Sequence, residues 1–290
     1  MHRRDFLKRA GILGAAVASG GGTDTVFGED MARSMPTIRL GDLEVSRLLL
    51  GTNPFYGFAH KPGDIGRQMT EYYTDEQIME DLDRAAAQGI TAVVGPPFER
   101  WQKLFKAYLD RGGRLRIWIA QPDRSPEKIP AEIEESVKAG AKAVYIQGHR
   151  VEAMYEKDTF EAVRGWVELI RKLGVPAGIG AHRTDCHLEA QKRKFPVDFY
   201  FQCMYNVAHG DSFEREDPKR AVEVIRQLEK PVVAYKILGA GRVPPREGFE
   251  FAFRNIRPED GVCVGVFTKN APDQIKQNAD LAKECSALSR

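Results

Sequence analysis

The stretch Pro231-Val-Val-Ala-Tyr-Lys-Ile-Leu-Gly-Ala-Gly-Arg242 decides how the rest of the chain is read. A short apolar run bounded by proline and by a Gly-Ala-Gly turn reads as a buried parallel strand, apolar on both faces because helices cover it. A lysine at the end of such a strand must meet water, a partner or a substrate. Lys236 is therefore a candidate site residue. In the turn that follows, Gly239 and Gly241 allow close backbone approach to a ligand and Arg242 adds a fixed cationic fork, which makes a candidate anion corner. Pairing with a barrel carboxylate accounts for Lys236 equally well.

Working outward, strand-like runs at 46–51, 90–95, 115–121, 142–148, 175–181, 197–203 and 261–267 alternate with helical patterns. The helices are expected at 74–88, 98–111, 126–139, 158–173, 186–194, 217–228, 246–255 and 272–288. Thr74 with Gln77 forms a capping box, and Pro126 is pre-set for a first helical turn. A hairpin around Gly41-Asp42 precedes the series. Eight strand-helix pairs at this length predict an α/β fold, a (β/α)8 TIM barrel preceded by a short N-terminal β-hairpin. An open doubly wound sheet is the alternative, but no Gly-x-Gly-x-x-Gly opens the first helix.

The chain has 290 residues, 42% of them apolar, and a formal charge of +2. Such a length buries a large core in one domain, expected over 31–290. The balanced charge, with no basic stripe interleaved with aromatics, argues against nucleic acid as a partner. Arg3 and Arg4 followed by Phe6-Leu7-Lys8 and a short Gly/Ala-rich apolar run resemble a twin-arginine export signal, so residues 1–30 are read as signal and linker. The apolar run falls far short of the ~20 residues of a membrane span, so no stable membrane anchor is expected. That resemblance implies an encounter with the twin-arginine export machinery and a periplasmic or extracellular location. Four cysteines, Cys186, Cys203, Cys263 and Cys285, form no Cys-x-x-Cys pair and are expected to be reduced and packed, with Cys203 nearest a site.

In a barrel the chemistry sits at the carboxyl ends of the strands. Those positions hold Asn53, Gln121, Gln147, His149, His182, Gln202, Cys203, Tyr205, Asn206, Lys236, Arg242, Thr268 and Lys269. The long connection 53–73, with Phe55, Tyr56, Phe58, His60 and Gly63, is read as a lid or pocket wall. Asn53, Tyr56, His60, Gln147, Cys203, Tyr205 and Asn206 are the expected contacts to a small-molecule substrate. His149, His182, Lys236 and Gln121 are the expected catalytic group.

Four segments resemble the aldo/keto reductase superfamily in order and spacing. Ile38-Arg-Leu-Gly-Asp-Leu-Glu-Val-Ser-Arg-Leu-Leu-Leu-Gly-Thr52 is similar to its opening hairpin and first strand, and Phe201-Gln-Cys-Met-Tyr-Asn206 to its sixth. Pro231 to Gly241 resembles its seventh strand and turn, and Ala271-Pro-Asp-Gln-Ile-Lys-Gln-Asn278 the start of its last helix. The resemblance implies a bound NADP across the barrel top. It puts Gln202 at the carboxamide, Tyr235 on the nicotinamide ring, Gly239, Arg242 and Lys269 near phosphates, and Asn278 in the last helix. It also implies a Tyr/Lys/Asp/His cluster, which is mostly missing. Ala92-Val-Val-Gly-Pro-Pro97 stands where the aspartate belongs, Phe98-Glu99-Arg100 where the tyrosine belongs, and Gln121 replaces the lysine. Glutamine cannot titrate, so the expected enzyme acts on a sugar or carbonyl compound by altered chemistry of lyase, isomerase or hydrolase type. Alternatives are an NAD(P)-dependent oxidoreductase, a divalent metal held by His149 and His182 with His60 or Cys203, Schiff-base chemistry at Lys236, and a non-catalytic binding barrel.

Overall fold

A computed structural model describes residues 34–206 and 217–289. The expected export signal lies outside the described residues. The chain enters through the hairpin β1 (Thr37–Leu40) and β2 (Leu43–Ser46), paired antiparallel across Gly41. There φ is 64°, a conformation open to glycine without Cβ strain. Eight parallel strands follow: β3 (Leu48–Gly51), β4 (Ala92–Gly95), β5 (Ile117–Ala120), β6 (Ala143–Ile146), β7 (Ala177–Ala181), β8 (Phe199–Cys203), β9 (Val232–Tyr235) and β10 (Gly261–Gly265). They close in sequence order, with β10 pairing β3, so the expected (β/α)8 barrel with its N-terminal hairpin is the fold.

The helices are α1 (Ile65–Tyr72), α2 (Asp75–Ala87), α3 (Glu99–Asp110), α4 (Ile129–Lys138), α5 (Gly148–Glu156), α6 (Glu161–Lys172), α7 (Asp185–Lys192), α8 (Asp217–Ile225), α9 (Pro245–Asn255) and α10 (Gln274–Cys285). Apart from α1, which packs on the turn at Asn53–Tyr56, the helices face the barrel with their apolar sides. In α6 the buried residues Val163, Trp166, Val167 and Ile170 recur at the three- and four-residue spacing of one helical face. The Thr74 hydroxyl caps α2, accepting from the Gln77 amide at 3.2 Å.

Strand side chains alternate between the helices and the barrel interior. Leu49, Ala92, Val94, Ile119, Ala143, Tyr145, Phe199, Phe201, Val233 and Cys263 fill the interior, joined by Ile38, Leu40 and Val45 of the hairpin. Gly261 opens β10, and a Cβ there would lie 2.7 Å from Ile38 Cδ1. The hairpin thus plugs the amino-terminal mouth and leaves the opposite mouth for ligands. In β7 two glycines make room for aromatic rings: a Cβ on Gly178 would meet the Phe199 ring at 2.5 Å, and one on Gly180 the Tyr145 ring at 3.1 Å.

Two local expectations are corrected. The connection 53–73 is largely ordered structure, a 3-10 turn at Asn53–Tyr56 and helix α1, so its irregular part is only 57–64. And 148–156 forms helix α5, which was not foreseen; the strand stops at Ile146, and the Gln147 side chain caps the helix by accepting from the His149 amide at 2.8 Å. Glutamine is an unusual N-cap, which is why no start signal was visible there.

Candidate active site

A cavity of about 900 Å³ opens at the carboxyl ends of the strands. Its floor is aromatic. Tyr145 and Phe201 stack with ring centroids 4.1 Å apart and planes 3° from parallel, and Tyr235 lies 6.5 Å beyond Phe201. The Tyr145 hydroxyl donates to Gln121 Oε1 at 2.5 Å, and burial raises its pKa well above that of an ordinary tyrosine. Gln121 accordingly faces a phenol where the resemblance implied a lysine. A flat aromatic floor suits the C–H face of a sugar or a small carbonyl compound.

His182 stands on the wall just past β7. Its Nδ1 lies 3.3 Å from Glu152 Oε2 on helix α5, while Glu152 Oε1 accepts from the backbone amides of His182 and Arg183. Burial alone pushes the Glu152 carboxyl up, but the His182 ring and those two amides outweigh it and hold the group below the usual carboxylate range. The carboxylate fixes the imidazole through Nδ1, which leaves Nε2 as the nitrogen to meet a ligand. A histidine on a cavity wall, oriented by a half-buried carboxylate, is the arrangement a general acid-base catalyst requires.

Lys236 follows directly on β9 with φ of 55°, a left-handed conformation that is costly for a side chain bearing Cβ. The residue lines the cavity, yet its Nζ is covered from water and, among the described residues, has no hydrogen-bond partner. Burial lowers its pKa, opposed by the nearby Cys203 and Glu152 and reinforced by Arg242. Among the described residues, no carboxylate lies within ion-pair distance of Lys236 Nζ to explain it structurally.

The lid is strapped to the turn after β9. Arg242 donates to Gly239 O at 3.0 Å and across to His60 O at 2.9 Å, and Lys61 Nζ donates to Gly241 O at 3.1 Å. His60, at φ 49°, sits 3.3 Å from the Asn53 amide nitrogen through Nε2. Burial lowers its pKa to about 4, with Lys236, His182 and Arg242 adding to the effect. An aromatic lip completes the mouth: Phe58 and Phe98 are 47% and 41% exposed, and Tyr56 packs edge-on against Phe98.

Of the residues expected from sequence, Asn53, His60, Gln121, Gln147, His149, His182, Tyr235 and Lys236 line this one cavity, with Phe58 and Gly63 of the lid. The others do not. Gln202 is fully buried and turns its Nε2 to the Cys203 carbonyl at 3.0 Å. Cys203 is buried and its thiol is pushed up to about 12 by burial; the cysteine that lines the cavity is Cys263. Tyr205 is buried near Phe251, and Asn206 lies past the end of β8 outside the lining. Tyr56 stands behind the lip. Gly239 shapes the turn, Arg242 holds the lid, Lys269 is exposed outside the cavity, and Asn278 is enclosed in α10 with neither side-chain atom hydrogen-bonded.

Of the six residues expected at NADP, Tyr235 alone lines the cavity, which also runs along the turn after β9 at Leu238, Ala240 and Gly241 to Gln274 of α10. The two imidazoles expected to share a metal are matched to different carboxylates, His182 to Glu152 and His149 to Asp123, whose Oδ1 lies 2.7 Å from Nε2. Among the described residues no three His, Cys, Asp or Glu side chains are grouped as metal ligands.

Three functional positions were missed. Tyr145 was discoverable, because Ala143, Tyr145 and Gln147 alternate as one face of a strand. Glu152 was hidden with the unforeseen helix α5, and Asp123 lies two residues past Gln121 in a loop whose direction no local pattern gives.

No protein-family profile and no curated protein matches the sequence. Solved structures do resemble the fold. A Pseudomonas aeruginosa protein provisionally assigned as an aldo-keto reductase aligns at 19% identity and a TM-score of 0.61, covering 88% of this chain and 99% of its own. N-acetylneuraminic acid synthetase from Leptospira borgpetersenii aligns at 12% identity and 0.53, covering 88% and 89%. A truncated 3-deoxy-D-arabino-heptulosonate 7-phosphate synthase from Thermotoga maritima gives 12% and 0.53 over 88% and 92%. At such identities the likeness shows a shared barrel, of the kind aldo-keto reductase-like proteins and other barrel enzymes have, and nothing of the reaction.

Proposed function

We propose that this chain is an exported barrel enzyme that acts on a small sugar or carbonyl compound by acid-base chemistry of the isomerase or lyase type. The observation that carries this reading is the His182–Glu152 pair on the cavity wall. Neutral His182 takes a proton from the carbon next to a carbonyl, and Glu152 steadies the imidazolium that forms. The aromatic floor holds the substrate's apolar face, and the lid keeps water out while the carbanion exists. Gln121 and Gln147 supply uncharged hydrogen bonds to substrate hydroxyls.

The test is to incubate the protein in deuterated water with a panel of aldoses, ketoses and 2-oxo acids and follow the carbon-bound protons by NMR. Exchange or isomerisation is expected for at least one compound, reduced about 10²- to 10⁴-fold in His182→Gln. A panel left untouched in deuterated water while NADPH is consumed would overturn the reading in favour of a reductase. Export is tested by fusing residues 1–30 to a reporter: replacing Arg3 and Arg4 by lysine should leave the reporter inside the cell.

A further inference from the structure

We propose that Lys236 is an imine-forming nucleophile, so that the carbonyl substrate is held covalently while His182 moves its protons. This inference rests on the acid-base reading of the cavity and adds a covalent step to it. Three observations converge on Lys236. Its Nζ has no hydrogen-bond partner among the described residues, although a lysine kept for structure would be paired. The residue lines the cavity from a backbone conformation that costs strain, and such strain gathers where function requires it. And it shares the cavity with an acid-base group close to its own level: Ala181 pairs with Gln202 and Gln202 with Ala234, so His182 is level with Tyr235 and Lys236 lies one residue further along the next strand but one. They stand two strand spacings, roughly 10 Å, apart at the backbone. Their side chains can converge on one small carbonyl group.

The chemistry balances without any further reactant. The neutral amine adds to the carbonyl carbon, forming the C–N bond as the carbonyl π electrons pass to oxygen. After proton transfer from nitrogen to that oxygen, the product is a carbinolamine. Protonated His182 gives its proton to the hydroxyl, which leaves as water, and the nitrogen lone pair forms the C=N bond of an iminium ion. His182 is now neutral and is placed to remove a proton from the adjacent carbon, whose electrons flow into the iminium nitrogen. Reprotonation and hydrolysis return the amine. The lowered pKa of Lys236 favours the neutral form that the first step needs. Arg242, whose charge contributes to that lowering, also straps the lid, so it links closure to amine reactivity.

The full chain is treated with glycolaldehyde, dihydroxyacetone or pyruvate in the presence of sodium borohydride, which reduces an imine to a stable amine, and digested for mass spectrometry. The expected result is a saturable adduct on the peptide bearing Lys236 with at least one probe, lost completely in Lys236→Arg and Lys236→Met. Circular dichroism and melting of both variants confirm that they are folded. Labelling of Lys236 should also reach half its maximal rate at a lower pH than labelling of the exposed Lys103. No Lys236 adduct with any of the three probes, or adducts spread over surface lysines alike in wild type and Lys236→Arg, would overturn the proposal. If the adduct is absent while His182-dependent proton exchange persists, the imine fails and the acid-base reading stands. If both are absent, the site itself is misread.

Discussion

At the scale of single residues the molecule tolerates an arrangement that folding alone would remove. A buried ammonium without a partner destabilises the native state, and a thioether of similar length would not. Lys236→Met is therefore expected to stabilise the protein by about 1–3 kcal/mol near neutral pH, read from urea or thermal unfolding. The sign of the pH dependence follows from the direction of the shift. Burial holds the folded pKa below 10.5, so between the folded value and 10.5 the unfolded chain binds more protons, and the wild type gains stability as pH rises. The advantage of the Met variant should be complete below the folded pKa and shrink toward pH 10.5. A Met variant that is less stable at every pH would mean that Nζ has a partner in solution. His60 shows the same tension at the lid, where burial above all, with Lys236 and Arg242 nearby, lowers its pKa to about 4.

At the scale of elements, the lid and the glycine-lined strand make separate predictions. Arg242→Gln removes the guanidinium that joins Gly239 to His60, so amide hydrogens of 57–64 should exchange faster while those of the strands keep their protection. Uniform acceleration would point to global destabilisation instead of an opened lid. In β7, Gly178→Ala drives a methyl into the Phe199 ring and should cost roughly 1–3 kcal/mol. In α6, Gly165→Ala meets nothing within 4 Å and should stabilise by about 0.5–1 kcal/mol. Opposite shifts in the melting temperature check the pair. These elements also show what was legible. Apolar runs and capping residues placed every barrel strand to within a few residues, because period and burial are local properties. Helix α5 escaped because glutamine rarely starts a helix, and the fate of Arg242 escaped because its acceptor, the His60 carbonyl, lies far away in sequence. The cavity residues were legible in so far as barrel topology sends strand ends to one mouth: His182 and Lys236 could be found from position alone, whereas Glu152, which orients His182, could not.

At the scale of the whole molecule, the barrel closes where the first barrel strand meets the last, and one buried arginine governs that seam. Arg47, 4% exposed between β2 and β3, donates to Asp260 O at 2.9 Å, Ser286 O at 3.0 Å, Arg257 O at 2.8 Å and Ser289 Oγ at 2.7 Å. Its guanidinium also lies 5.0 Å from the Phe253 ring centre. Asp260 continues the clasp by accepting from the Val232 amide and from Arg257, so the starts of β3, β9 and β10 and the carboxyl-terminal turn share one network. Four directed donors in a plane are a property of guanidinium that an ammonium cannot reproduce. Arg47→Lys keeps the charge but leaves carbonyls unpaired, and should cost roughly 2–3 kcal/mol, a melting decrease of several degrees for a domain of this size. Because the seam lies at the plugged mouth, away from the cavity, the folded fraction should still perform His182-dependent proton exchange at the wild-type rate. The loss should also be local in origin, with amides of β3 and β10 losing protection before those of β6 and β7. A variant that melts with the wild type, or loses protection evenly around the barrel, would show that strand pairing closes the ring without the arginine.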